Sequence, residues 1–215
     1  MVLHGGAERD VRPARRRQLA ALRMEPVRRA VVDVVEEDVL VTRVRYRVRG
    51  WNGERADPVR DTLRALDEVG ERMGDVPVVL VGHSMGGRAA LRAAGHELVR
   101  GVVGLAPWWP AGEPVEQVAG RYVVALHGDR DRVTSAEETA EVMRRAEGIA
   151  ARVEWGVVAG GDHAMLRRYR TWHRTTAALV AHLLDPAGTP DPLTADGRFD
   201  IEGIEVHPDG APRRK

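Results

Sequence analysis

Cysteine is absent from the 215 residues, so disulfides, thiolate metal sites, iron–sulfur clusters and cysteine nucleophiles are excluded at the outset. Aromatic residues make up only 4%, with a single Phe, five Trp and three Tyr. The core must therefore rest on Val, Leu and Ala, a composition that suits a buried parallel sheet between helices. No apolar run approaches the roughly 20 residues that a membrane-spanning helix needs. The first ten residues have neither the basic start nor the apolar stretch of a signal peptide, so a cytoplasmic location with no membrane partner is expected. A surplus of charge is lacking too: 33 Lys and Arg stand against 32 Asp and Glu, for a formal net charge of +1. Such a chain has no excess with which to displace counterions from a nucleic acid, and nucleic acid is not an expected partner. Lys215 is the only lysine, so the early cluster Arg12, Arg15, Arg16, Arg17, Arg23, Arg28 and Arg29 reads as a general preference for Arg on a solvated face.

What the chain does contain is an alternation of short Val/Leu runs with stretches of helical period, the sequence sign of βαβ units around a parallel sheet. Strands are expected at 39–46, 76–81, 99–105, 122–126 and 153–158, with a sixth, cut short, at 2–3. Helices are expected at 26–37, 58–73, 85–95, 135–146 and 163–184. In the first of these, Val27, Ala30, Val31, Val34 and Val35 recur on one face. Ser135 and Glu138 fit the start of the fourth as a capping box. Over 41–49, Arg43, Arg45, Arg47 and Arg49 fall on one face and Val44, Tyr46 and Val48 on the other, the pattern of an edge strand that charge protects from further pairing. From Asp185 onward Pro186, Pro190, Pro192, Pro208 and Pro212 recur among Gly and Asp. One domain over 1–184 is expected, followed by a mobile tail over 185–215 with a short strand at 199–206.

The segment that carries chemistry is Val78-Val79-Leu80-Val81-Gly82-His83-Ser84-Met85-Gly86-Gly87, a strand that enters a helix through Gly-x-Ser-x-Gly. Such a turn holds the serine in a strained conformation with its Oγ exposed, and the flanking glycines let strand and helix approach closely. The helix N-terminus behind Ser84 favours a developing oxyanion. A serine hydroxyl is a poor nucleophile until a base takes its proton, and the base needs a carboxylate to set its tautomer. Both residue types follow downstream, in His127-Gly128-Asp129-Arg130-Asp131 after one strand and Gly161-Asp162-His163 after the next. All of these groups fall at the carboxyl ends of parallel strands, where an open α/β sheet places its site. His4 and His127 each end a strand beside Gly, but a metal site between them lacks a third ligand.

With Leu3-His4-Gly5-Gly6 at the start, these segments resemble the α/β-hydrolase superfamily, and specifically its lidless esterases and dienelactone-hydrolase-like serine hydrolases. The resemblance spans about residues 2–184 and implies a three-layer α/β-hydrolase fold of about six parallel strands without a cap domain. It implies Ser84 as nucleophile and His163 as base, and its His-Gly-x-x-Asp spacing selects Asp131 over Asp129 as the acid. It also implies an oxyanion hole from the backbone N–H groups of Gly6 and Met85, and no cofactor or metal. Family members usually begin with a two-stranded hairpin before the strand that precedes His-Gly; here Met1 stands three residues before His4, so either that hairpin is missing or the natural chain starts further upstream. Many also insert a helical lid where this chain has only residues 107–120, so the site should be open, with Trp108 and Trp109 either lining a substrate wall or covering the sheet end.

The expected partner is a small acyl substrate and the expected reaction is ester hydrolysis. Thioesters, lactones, amides and acyl transfer to an alcohol share the same chemistry. A dehalogenase or epoxide hydrolase of this fold would use Asp at the nucleophile position, which Ser84 argues against. Two other classes remain distinguishable: a non-catalytic binding module would not react with a fluorophosphonate, and an anion-binding protein using the Arg cluster would be salt-sensitive and indifferent to Ser84→Ala.

Overall fold

The computed structural model describes residues 1–15 and 17–192, together with the backbone of Ile204–Glu205. The strands are β1 (Val2–Leu3), β2 (Val78–His83), β3 (Val99–Leu105), β4 (Tyr122–Gly128), β5 (Arg152–Val158) and β6 (Ile204–Glu205). They lie in one sheet in sequence order, β1 to β5 parallel and β6 antiparallel beside β5. The helices are α1 (Leu19–Arg23), α2 (Glu25–Val32), α3 (Asp57–Met73), α4 (Met85–Ala93), α5 (Ala136–Ala146) and α6 (Tyr169–Leu184).

Alternation along the strands divides the core into two layers. Leu80, Val102, Val123, Ala125, Trp155 and Val157 face one side, where they pack with Leu66 of α3, Leu91 of α4 and Val142 and Met143 of α5. Val79, Val81, Val103, Leu105, Val124 and Leu126 face the other, against Val27 and Val31 of α2 and Trp172, Leu179 and Val180 of α6. This is the expected three-layer architecture, with five parallel strands rather than six.

The difference lies at 39–46. That segment forms no strand and meets β1 only through a parallel bridge at Val2 and Arg43. Its hydrogen bonds with β1 are Val2 N–H to the Thr42 carbonyl at 2.8 Å and Val44 N–H to the Val2 carbonyl at 3.0 Å. A two-residue β1 offers no longer ladder, so the chain continues instead along the loop before α1, where Ala14 N–H donates to the Arg47 carbonyl and Ala7 N–H to that of Arg49. The side-chain alternation survives: Val44 and Tyr46 are buried while Arg43, Arg45 and Arg47 are exposed. Arg43 and Arg47 are tied to Glu25 and Asp61.

Two helices are shorter than expected. α2 stops at Val32, with Asp33 as its C-cap. α6 starts at Tyr169 instead of 163, because Asp162 Oδ1 accepts the N–H groups of Leu166 and Arg167, both at 3.0 Å, and winds the intervening residues into a loop. At α5, Ser135 Oγ accepts the Glu138 N–H at 3.0 Å as expected of a cap, while the Ser135 hydroxyl donates to Glu137. Of the tail, β6 falls within the expected 199–206 strand; the remainder beyond residue 192, including its expected mobility, lies outside the described residues.

Residues 107–120 are fastened to the domain rather than laid over it. Glu113, fully buried, receives Arg88 Nε of α4 at 2.7 Å and also Arg92 Nε. Arg145 Nη1 of α5 donates to the carbonyls of Ala111 and Glu113, each at 2.9 Å. The Arg88 guanidinium is itself held between two indoles, 4.2 Å from the Trp51 ring centroid and 4.5 Å from that of Trp108. Removing the central carboxylate would leave a desolvated Arg without its counter-charge. Glu113→Gln is expected to destabilise the protein by about 3 kcal/mol in urea unfolding; a variant within about 0.5 kcal/mol of wild type, the range of ordinary surface substitutions, would show that the pair does not anchor this segment.

Candidate active site

The carboxyl ends of β1, β2, β4 and β5 bring together the loops at Gly5, Ser84, Asp131 and His163. Ser84 sits between β2 and α4 with φ 54° and ψ −120°, a conformation that costs a non-glycine residue on the order of 1–3 kcal/mol. Its backbone is held on both sides: Ser84 N–H donates to the Leu105 carbonyl at 3.1 Å, and its own carbonyl accepts from Gly87 at 2.9 Å and from Trp108 at 3.1 Å. The sharp return needs contact at backbone distance. A Cβ at Gly82 would fall on the Gly86 carbonyl, and one at Gly86 would lie 2.5 Å from the Leu3 carbonyl oxygen. Ser84 is 9% exposed, and its hydroxyl makes no hydrogen bond among the described residues.

Asp131 and His163 come from neighbouring loops. His163 Nδ1 donates to Asp131 Oδ2 at 2.8 Å, and its Nε2 has no partner among the described residues. The two loops can meet because Gly128 has no Cβ, which would otherwise collide with the Gly161 carbonyl. Arg130 N–H donates to that same carbonyl at 3.0 Å. Asp129 faces outward and accepts the Gly160 N–H at 2.7 Å, so it ties the β4 and β5 loops and does not reach His163.

The Asp131 side chain is buried. Burial alone would push its carboxyl up, but donors from His127 and His163, with the N–H groups of Val133 and Thr134, outweigh it and hold the group well below the usual carboxylate range. The amides lie at 2.7 and 3.1 Å from Oδ1, and the Thr134 hydroxyl at 2.9 Å from Oδ2. His127 Nε2 lies 3.3 Å from both Asp131 Oδ2 and the Thr134 carbonyl, which can only accept, and 3.4 Å from the Thr134 hydroxyl. His83 contributes differently: its Nε2–H donates to the His163 carbonyl at 2.7 Å and its ring lies 4.8 Å from the His163 ring, so it props the loop from below.

The N–H groups of Gly6 and Met85 find no acceptor among the backbone groups of the turns and loops around them. Gly6 lies against the Met85 side chain, where a Cβ would meet Met85 Cε at 2.5 Å. Large apolar side chains stand exposed on the segments that follow these strands: Leu19 and Leu22 on α1 after β1, Val133 after β4, and Leu166 and Tyr169, the latter at the start of α6, after β5.

The family model described as an alpha/beta hydrolase domain matches residues 36–187. The chain belongs to the α/β-hydrolases. No curated protein matches it. Among solved structures, an alpha-beta serine hydrolase homologue from Coxiella burnetii is 21% identical, with a TM-score of 0.58 over 74% of this chain and 78% of that one. A serine hydrolase without a lid from Xanthomonas campestris is 21% identical, with a TM-score of 0.59 over 88% and 82%. Est1E from Butyrivibrio proteoclasticus is 13% identical, with a TM-score of 0.61 over 85% and 86%.

Within this α/β-hydrolase one expected site residue is displaced. Trp109 is 1% exposed and packs on Gly104 in the core, so it covers the sheet and offers no wall to a substrate. Trp108 is half-buried and shares Arg88 with Trp51. Thr134 and the Trp51–Arg88 stack had no sequence signal, since nothing in the spacing of residues 51, 88 and 108 brings them together. No helix among the described residues is long and apolar enough to cross a membrane.

Burial of His83 makes a thermodynamic prediction. Desolvation, then the neighbouring His163, lower its pKa from 6.5 to about 3. The unfolded chain therefore binds a proton that the folded protein refuses between these two values. Stability is unaffected above about pH 6.5 and falls as the pH drops toward 3, by up to about 1.4 kcal/mol per pH unit from this group. Urea unfolding against pH should show a slope in this window that is shallower by about one proton in His83→Gln; identical slopes would mean that His83 is not the group responsible.

Proposed function

We propose that the protein hydrolyses small acyl esters through an acyl-enzyme on Ser84. The observation that carries this reading is the 2.8 Å bond from His163 Nδ1 to the buried Asp131, made beside a serine held at φ 54° at the head of α4. With its Nδ1 proton committed to Asp131, His163 has Nε2 as the nitrogen that accepts the Ser84 proton. The missing Ser84–His163 hydrogen bond is consistent with a resting site, where such bonds are often long until substrate arrives.

The reaction balances without a further reagent. Ser84 Oγ forms a bond to the acyl carbon as its proton passes to His163 Nε2, and the carbonyl oxygen becomes an oxyanion facing the N–H groups of Gly6 and Met85. Collapse breaks the bond to the alcohol oxygen, which takes the proton from His163. Water then repeats the sequence on the acyl-enzyme, so that ester and water become acid and alcohol. Asp131 keeps His163 in the correct tautomer and stabilises the imidazolium.

The exposed Leu19, Leu22, Val133, Leu166 and Tyr169, on the segments that follow β1, β4 and β5, and the half-buried Trp108, whose backbone N–H is bonded to the Ser84 carbonyl, support an acyl group rather than a polar substrate. The fastened 107–120 segment supports a short one. A lid would add up to about 0.8 kcal/mol for each methylene it buries, and residues 107–120, where relatives insert one, are fastened to α4 and α5 instead. A series of p-nitrophenyl esters is expected to peak in kcat/KM at acyl chains of about two to six carbons, without a rate jump on micelle formation. A maximum at long chains, or interfacial activation, would overturn the open-site picture.

Variant kinetics test the machinery. Ser84→Ala and His163→Ala should each lower kcat by at least about 10³-fold with the fold intact, because the members act as a unit. Asp131→Asn should cost far more than Asp129→Asn. Retention of about a tenth of the activity in either the Ser84 or the His163 variant would contradict the roles of nucleophile and base.

A further inference from the structure

The Gly5–Gly6 peptide has little of its own to fix its orientation. It lies between two glycines, and rotation about the bonds on either side costs least where neither residue carries a Cβ. The Gly6 amide is nevertheless the group that must face the oxyanion. Because a planar trans peptide points its C=O and N–H in opposite directions, whatever holds the Gly5 carbonyl also aims the Gly6 N–H.

That carbonyl has a single side-chain partner among the described residues, His4, whose Nδ1 lies 2.7 Å from it. A carbonyl only accepts, so Nδ1 carries the proton. The ring is buried and packs edge-on against Tyr46, with centroids 4.5 Å apart. On the other side of the ring the Gln18 amide nitrogen lies 3.5 Å from both His4 nitrogens, and Gln18 Oε1 accepts the Arg15 N–H at 3.3 Å, so the proton at Nδ1 is assigned by the Gly5 carbonyl alone. Burial, with the Arg43 charge nearby, lowers the His4 pKa despite the bond to Gly5, so the neutral ring holds its one proton at Nδ1. Across the peptide, a Cβ on Gly5 would lie 3.2 Å from His83 Nδ1 and 3.3 Å from Ser84 Cβ, which places the peptide directly over the nucleophile turn.

We propose that His4 is a positioning residue for the oxyanion hole: its Nδ1–H holds the Gly5 carbonyl and thereby presents the Gly6 N–H to the substrate oxygen. The inference rests on the acyl-transfer reading of the site and extends it from the donor to the lock that aims the donor.

Two near-isosteric variants separate this role from simple packing. In His4→Asn the side-chain amide nitrogen takes the place of Nδ1 and still donates to Gly5; in His4→Gln it takes the place of Nε2 and does not. With p-nitrophenyl acetate, His4→Gln should lose at least about tenfold in kcat with KM nearly unchanged, the signature of an interaction made in the transition state, while His4→Asn stays within about threefold of wild type. Crystal structures of both variants supply a readout independent of turnover: the Gly5 carbonyl should keep its direction in His4→Asn and rotate or take two orientations in His4→Gln. Equal kcat values in the two variants, or an unmoved carbonyl in a well-folded His4→Gln, would overturn the inference while leaving the triad reading intact. A wild-type protein that turns over no ester and does not react with a fluorophosphonate would instead overturn the reading, and the inference with it.

Discussion

The contact on which this structure depends is the closure of α4 back onto β2 and β1 at backbone distance. Gly82 meets Gly86, and Gly86 meets the Leu3 carbonyl, with no side chain between them. That approach forces the residue between strand and helix into the strained conformation of Ser84, so the position of this serine is a by-product of packing. It also brings the β1 exit beside the head of α4, which is why Gly6 comes to lie against Met85. Any side chain at Gly82 or Gly86 would separate helix from sheet and dissolve both features together.

Around this turn the protein assembles a chain of neutral and charged donors in which each group decides the protonation of the next. Asp131, kept ionised by the donors around it, holds the Nδ1 proton of His163. His83, kept neutral by burial, holds the loop on which His163 sits. His127 and Thr134 satisfy the remaining acceptor capacity of Asp131. Histidines that read as separate strand-end residues in the sequence thus belong to one hydrogen-bonded system at the carboxyl end of the sheet.

The parts of the fold that were legible are those set by local rules. Strand 99–105 is a run of Val, Gly and Leu broken only by Arg100, and it appears with those bounds; the Gly-x-Ser-x-Gly turn carries its geometry in its own glycines. Ser84, Asp131 and His163 could be placed at one edge of the sheet from the sequence because each lies in the loop or turn that follows a strand end. Elements decided by long-range partners were not. The segment at 39–46 has strand composition, but the two-residue β1 beside it cannot extend a ladder. The helical period before Tyr169 is real, yet Asp162 captures the amides that would have started the helix. Trp108 and Trp109 are adjacent in sequence, and only the close approach of Gly104 sends one into the core while the other stays half-buried beside Arg88.

The central claim is that Ser84 is an activated nucleophile, and covalent labelling tests it most directly. The folded protein is treated with a fluorophosphonate and the modified peptide is identified by mass spectrometry. The account predicts a single adduct on the peptide that contains Ser84, absent from Ser84→Ala. Folded wild-type protein that gains no adduct, or an adduct that persists in Ser84→Ala, would contradict it.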